Sequence, residues 1–158
     1  NVYSEPGHGT TFNIYLPASD KGGPVEQQLS QEIKIGQETI LLVDDENIIV
    51  EVTQEILEEL GYEVLVARNG EEAIEIYQSH QKRIDLVILD MIMPGMGGGE
   101  VYDRLRDMNP DVQVILSSGY SINGEAMEIM DRGVRFFLQK PFTVMDLSAR
   151  VREVLDKK

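Results

Sequence analysis

Four stations along the chain carry side chains whose types and spacing could do chemistry. Asp44-Asp45-Glu46 follows the apolar run Ile40-Leu41-Leu42-Val43. Asp90 follows Leu86-Val87-Ile88-Leu89 and precedes Met91-Ile92-Met93-Pro94-Gly95. Ser117-Ser118-Gly119 follows Val112-Gln113-Val114-Ile115-Leu116, and Gln139-Lys140-Pro141 follows Phe136-Phe137-Leu138. If the runs are strands of one sheet, carboxylates, a hydroxyl and an ammonium meet at one edge. Carboxylates gathered there repel one another and raise their own pKa values. A divalent cation relieves that repulsion, and hard oxygen donors with room for water suit Mg2+. Lys140 adds a second positive charge. A carboxylate beside magnesium, a hydroxyl and a lysine is placed to receive a phosphoryl group, because both cations neutralise the oxygens of the group in flight.

The elements that must position these residues are legible from residue 38 onward. Each uniformly apolar run reads as a strand buried on both faces. Ile49, Val52, Ile56 and Leu60 follow the first at helical spacing, and Gly61 stops that helix. Tyr62 to Ala67 reads as the second strand. Asn69 is a helix cap with Glu72 three residues on, and Ala73, Ile74 and Tyr77 form an inner face. Val101, Leu105 and Met108 predict a third helix. Ala126, Ile129 and Met130 predict a fourth, closed by Gly133. Val144, Leu147, Val151, Val154 and Leu155 predict the last. Five strands alternating with five helices imply an α/β fold, a doubly wound parallel sheet joined by right-handed crossovers. Ligands of such sheets bind beyond the C-terminal strand ends, where the four stations fall.

Composition narrows the function classes. The 158 residues suffice for one domain with a core plus tails. A formal charge of −14, from 28 acidic and 14 basic residues, argues against binding nucleic acid or an anionic membrane by charge. With no Cys, disulfides, thiol catalysis and cysteine metal sites are excluded. His8 and His80 are too few for a multi-histidine site. Apolar runs stay short of a membrane span. Before residue 38, Thr10 to Leu16 alternates as a strand, and residues 18–37 have linker composition with room for a short helix.

Residues 38–158 resemble the receiver domain of two-component signalling. The resemblance rests on Val43-Asp44-Asp45, Asp90-Met91-Ile92-Met93-Pro94, Ser117 and Lys140-Pro141-Phe142, in order and at these spacings. It implies a flavodoxin-like (βα)5 fold with strand order 2-1-3-4-5. It implies Asp90 as phosphoacceptor, Asp45 as a direct Mg2+ ligand, Asp44 as a helper through water, and the Ile92 carbonyl as a further ligand. Ser117 and Lys140 would hold phosphoryl oxygens, Phe137 would be the aromatic switch, and the bond before Pro141 would be cis. Ile92 and Gly119 occupy the positions that flank the attacking water, and neither side chain can orient it, which implies a long-lived phosphoprotein.

Residues 4–17 resemble the last glycine box and final strand of a histidine-kinase ATP-binding domain. The chain therefore resembles the C-terminal part of a hybrid histidine kinase: 1–17 a kinase remnant, 18–37 a linker, 38–158 the receiver. The fragment alone is expected neither to bind ATP well nor to phosphorylate anything; the parent would be a kinase. The implied phosphodonor is a histidine kinase or histidine phosphotransfer domain, the location cytoplasmic, with any membrane anchor upstream. A dimer through the face of the fourth helix, fifth strand and fifth helix is also implied.

Plainer readings exist for single residues. The aspartates could cap helices, Ser117 and Ser118 could be turn residues, and Phe137 could be ordinary core. Met91, Met93 and Met96 read as packing, His8 and His80 as solvated, Glu58-Glu59 and Glu71-Glu72 as solvated helix faces, and Gly97-Gly98-Gly99 as a flexible loop. Two other functions compete. A phosphohydrolase of the haloacid-dehalogenase kind also uses aspartate, magnesium and lysine, but places its acid two residues after the nucleophile, where Glu46 stands. An interaction-only domain would have no use for a costly carboxylate cluster.

Overall fold

The computed structural model describes residues 2–15, 34–119, 124–134 and 136–157, with backbone alone at 124–126 and 131. The chain divides into two units, Asn1–Ser30 and Gln31–Lys158. The first contains an antiparallel hairpin of β1 (Val2–Glu5) and β2 (Gly9–Phe12), exposed throughout. Gly7 and Gly9 supply the positive φ its turn requires. The strand expected to reach Leu16 ends at Phe12. The expected linker and short helix, up to residue 33, lie outside the described residues.

The second unit is built on five strands: β3 (Thr39–Val43), β4 (Glu63–Ala67), β5 (Ile84–Asp90), β6 (Val114–Ser118) and β7 (Phe136–Gln139). All pair in parallel in the order β4-β3-β5-β6-β7, the 2-1-3-4-5 order expected. Between them run α1 (Asn47–Glu59), α2 (Gly70–His80), α3 (Gly98–Met108) and α4 (Gly124–Asp131), and α5 (Val144–Leu155) follows β7. Strand side chains alternate between faces. Ile40, Leu42, Leu86, Ile88 and Ile115 pack with α1 and α5, whereas Leu41, Val43, Val87, Leu89 and Leu116 pack with α2, α3 and Ile129 of α4. Burial on both faces explains why these runs are apolar without alternation.

Three expectations are corrected. The inner face of α1 is Val50, Thr53 and Leu57, completed by Leu60, and Val52 is exposed. Leu60 is buried and Ile56 packs half-buried against the core as expected, but isoleucine and valine occur on both sides of this helix, so spacing alone missed Val50 and Leu57. The fourth strand begins at Val114 and includes Ser117 and Ser118, so neither serine is a turn residue. Gly98 and Gly99 open α3 instead of lying in a flexible loop. Other expectations agree: Asn69 accepts the Glu72 N–H at 2.8 Å, and Met91, Met93 and Met96 are core. The Ala126 side chain lies outside the described residues.

Candidate functional site

The C-terminal ends of β3, β5, β6 and β7 are adjacent, so their last residues meet without any long excursion of the chain. Asp44 follows β3 and is 2% exposed. Its N–H is held by the Ala67 carbonyl at 3.1 Å, and its Oδ1 accepts the Glu46 N–H at 3.0 Å. Asp90 is the final residue of β5 and is 5% exposed. Lys140 follows β7, and its N–H donates to the Ser118 carbonyl at 2.8 Å, fixing the lysine to β6. Its Nζ donates to Asp44 Oδ2 at 2.6 Å and to Asp90 Oδ1 at 3.0 Å. The Lys140–Pro141 bond is cis, as expected. Asp45 is half-buried beside them, and Asp44, Asp45 and Asp90 each offer a carboxylate oxygen within 4.8 Å of the others.

Charge at this edge is unbalanced. One ammonium is paired with two carboxylates, and a third lies beside them. At an effective dielectric of about 20, two unit charges 4.8 Å apart repel by about 3 kcal/mol. Burial pushes the Asp90 carboxyl above the usual range, and the Asp44 charge adds to the rise; the Lys140 ammonium and the Ile92 N–H only partly offset it. For Lys140 the sign reverses. Burial acts to lower its pKa, but hydrogen bonds to Asp44 and Asp90 outweigh that and hold it above the ordinary value. The lysine is firmly charged while its acceptor carboxylates still lack positive charge. Three oxygen donors and an excess of negative charge fit a hard divalent cation.

Ser117 pairs in register with Asp90 across β5 and β6, and registered residues of parallel strands point to the same face. Its Oγ is buried and has no hydrogen-bond partner among the described residues. Buried hydroxyls are normally satisfied, so an orphan beside a carboxylate fits an oxyanion that arrives later. Phe137 is half-buried against the core on the α2–α4 side. The Ile92 side chain is 53% exposed, and among the described residues no atom lies within 4 Å of where a Cβ at Gly119 would stand.

One contact beneath the site had no signal in the sequence. A Cβ at Gly98 would lie 2.4 Å from the Asp90 carbonyl oxygen, so α3 starts in direct contact with the backbone of that aspartate. Met91 reinforces it, donating its N–H to Ser117 O and accepting the Gly98 N–H, each at 3.0 Å. The glycine triplet could only be read as loop because the contact joins two segments whose approach the sequence does not encode locally.

A family model described as the response regulator receiver domain matches residues 40–152. Sensor kinase CckA of Brucella abortus (strain 2308) is 34% identical over an alignment covering 98% of this chain and 17% of CckA. That alignment includes the N-terminal hairpin, yet the chain spans only a small part of that relative's length. Response regulator protein TrrA from Thermotoga maritima, solved in complex with Mg(2+)-BeF, is 37% identical, with TM-score 0.68 over 75% of this chain and 99% of that one. The receiver domain from hybrid histidine kinase CckA is also 37% identical, with TM-score 0.63 over 74% and 98%. The chain belongs to the response regulator receiver domain family, the phosphoacceptor modules of two-component signalling.

Proposed function

We propose that Asp90 is the phosphoacceptor of this domain, with Asp44, Asp45 and the Ile92 carbonyl completing a Mg2+ site and Lys140 and Ser117 receiving the phosphoryl oxygens. The observation that carries this is the Lys140 ammonium shared between two buried carboxylates, with a third carboxylate in reach. An Asp90 oxygen attacks phosphorus, the P–N bond to the donor imidazole breaks, and its electron pair returns to the ring nitrogen. When bound, Mg2+ would neutralise negative charge on the carboxylates and the phosphoryl oxygens. Lys140 already sits on Asp90 and holds a positive charge where the oxygens arrive. The Ser117 hydroxyl gains the partner it lacks. Phe137 is the switch residue in this scheme: with no hydroxyl, an inward rotamer leaves no polar group unsatisfied.

The phosphodonor is a histidine kinase or a histidine phosphotransfer domain, and the surrounding protein is a hybrid histidine kinase. The CckA alignment supports this because it extends through the hairpin. An isolated two-stranded hairpin is marginal in water, which supports reading residues 1–17 as part of a larger kinase sheet and 18–37 as the linker to a receiver at 38–158. No helix among the described residues is long and apolar enough to cross a membrane.

The test is acetyl-phosphate labelling with and without Mg2+, on wild type and Asp90→Asn. The expected result is one Mg2+-dependent phosphoryl group, absent from the variant. Label persisting in Asp90→Asn overturns the assignment, and sustained hydrolysis of phosphate esters overturns the acceptor function itself.

A further inference from the structure

The five residues that precede β3, 34–38, have no regular secondary structure but are tied to three elements of the receiver. Ser148, in the second turn of α5, is 2% exposed. Its Oγ accepts the Lys34 N–H at 3.2 Å and donates to the Lys34 carbonyl at 3.1 Å. A helical serine ordinarily turns its hydroxyl to solvent or to its own helix; this one is buried and serves both polar groups of one residue 114 positions away. Gly36 donates to the Leu60 carbonyl at 2.9 Å. It lies so close on the Tyr62 ring that a Cβ would fall 2.1 Å from Tyr62 Cε1. The Glu38 carbonyl accepts the Glu63 N–H at 3.0 Å. Its carboxylate accepts from Arg152 Nη1 at 2.8 and 2.9 Å, one turn of α5 beyond Ser148.

The same helix is joined to the acidic site at its other end. Lys140 is separated from α5 only by Pro141, Phe142 and Thr143. Thr143 caps α5 reciprocally with Asp146: its Oγ1 accepts the Asp146 N–H at 3.1 Å, and its own N–H donates to Asp146 Oδ2 at 3.0 Å. A displacement of Lys140 is therefore delivered to a capped, rigid helix whose later turns grip residues 34–38.

We propose that residues 34–38 form a coupling strap: phosphorylation of Asp90 moves Lys140, shifts α5 and loosens the grip of Ser148 and Arg152 on the polypeptide entering the receiver. The strap rests on the site assignment above. Its hold consists of a few hydrogen bonds and little apolar burial, which places it at the low-stability end of the fold, where local opening is readily biased. Coupling of this kind is reciprocal: the factor by which a ligand at the acidic site favours the loosened strap is the factor by which the loosened state binds that ligand more tightly.

Backbone amide hydrogen exchange on the full chain tests this, read at Lys34 and Gly36 with Val87 as a core reference. Wild type and Ser148→Ala are compared with and without Mg2+ and beryllofluoride. In wild type the ligand is expected to speed exchange at both strap amides by at least about fivefold. Without ligand, Ser148→Ala is expected to speed exchange at Lys34 by a similar factor and leave Val87 unchanged. Unchanged or slower strap exchange on ligand binding overturns the coupling. Acetyl-phosphate labelling of the same wild-type sample separates the two conclusions. If Asp90 is labelled and the strap is unmoved, the coupling alone falls; if Asp90 is not labelled, the site assignment falls with it.

Discussion

Two clusters of carboxylates and cations stand at opposite ends of β3, and they are built to opposite rules. Beyond the C-terminal end, Asp44 and Asp90 share the ammonium of Lys140, and Asp45 stands within reach of both. Before the N-terminal end, Glu38 and Asp156 are matched by Arg152 and Lys34. In the matched cluster, the hydrogen bonds that Arg152 donates to Asp156 outweigh burial and push its guanidinium up. Burial alone would raise Glu38, but the Gln37 N–H and Arg152 together hold its carboxyl below the usual range. In the unmatched cluster the Asp90 carboxyl is pushed up. Matched charge fastens two segments of chain. Unmatched charge, held rigidly by a sheet, costs stability and keeps an open demand for a cation and a place for a phosphoryl group.

The largest test of that contrast is Lys140→Met. Removing the one cation from two buried carboxylates should cost about 3 kcal/mol of stability without metal. Mg2+ should restore part of it, because a cation binding only the folded state stabilises by mass action. Urea midpoints with and without Mg2+ measure both; an identical loss in the two conditions breaks the account of unmatched charge.

Next in size is Asp45→Ala, expected to weaken Mg2+ binding by at least about tenfold, with Asp44→Ala weakening it less. Magnesium titrations of the two variants rank them, and an unaltered titration in Asp45→Ala removes it from the site. Ser117→Ala should run against the usual cost of a buried substitution. It deletes a hydroxyl without a partner, so the unphosphorylated domain should be unchanged or more stable by up to about 1 kcal/mol, while the level of phosphorylation falls. A clear loss of stability in denaturant melts would mean that the hydroxyl is already satisfied.

The smallest effect belongs to the matched cluster. Glu38→Gln should cost less than about 1 kcal/mol at neutral pH, since the pair is partly solvated. A depressed carboxyl contributes stability that is present above 4.5, its ordinary value, and is lost as pH falls through the lowered one. The difference between wild type and Glu38→Gln should therefore shrink on acidification below that value. Asp90 behaves oppositely: its raised carboxyl favours the folded state below 3.8 and withdraws that contribution as pH rises through the raised value. Melts of Glu38→Gln and Asp90→Asn against wild type across this range would sharpen the contrast, and curves of the same sign would undo it.

The unmatched cluster was legible in the sequence and the matched one was not. Asp44, Asp90, Ser117 and Lys140 sit at the ends of apolar runs, and a parallel sheet gathers strand ends without further information. Ser148 and Lys34, or Arg152 and Glu38, sit 114 residues apart with no periodic signal joining them. Only the packing of α5 against the start of β3 brings them together. Helix α1 shows the same limit at short range. Ile48, Ile49, Val50 and Val52 offer apolar residues around much of the helix, and the buried stripe through Val50, Thr53 and Leu57 is chosen by the sheet beneath. Ser117 and Ser118 were read as following their strand because hydroxyls break an apolar run, although β-sheet pairing continues through both.

Gly98 sets a limit on sequence drift around the acceptor. The Asp90 backbone is held in β5 on one side and pressed by the start of α3 on the other, with 2.4 Å between its carbonyl oxygen and the place a methyl group would occupy. An alanine there is chemically the mildest replacement available, carries no charge and touches no carboxylate. It would nevertheless displace either the helix or the aspartate. Among variants of this gene, a change that substitution tables score as harmless would thus behave like a lesion of the acceptor, whereas alanine at Gly119, where no atom of the described residues lies within 4 Å of the added methyl group, meets no such clash.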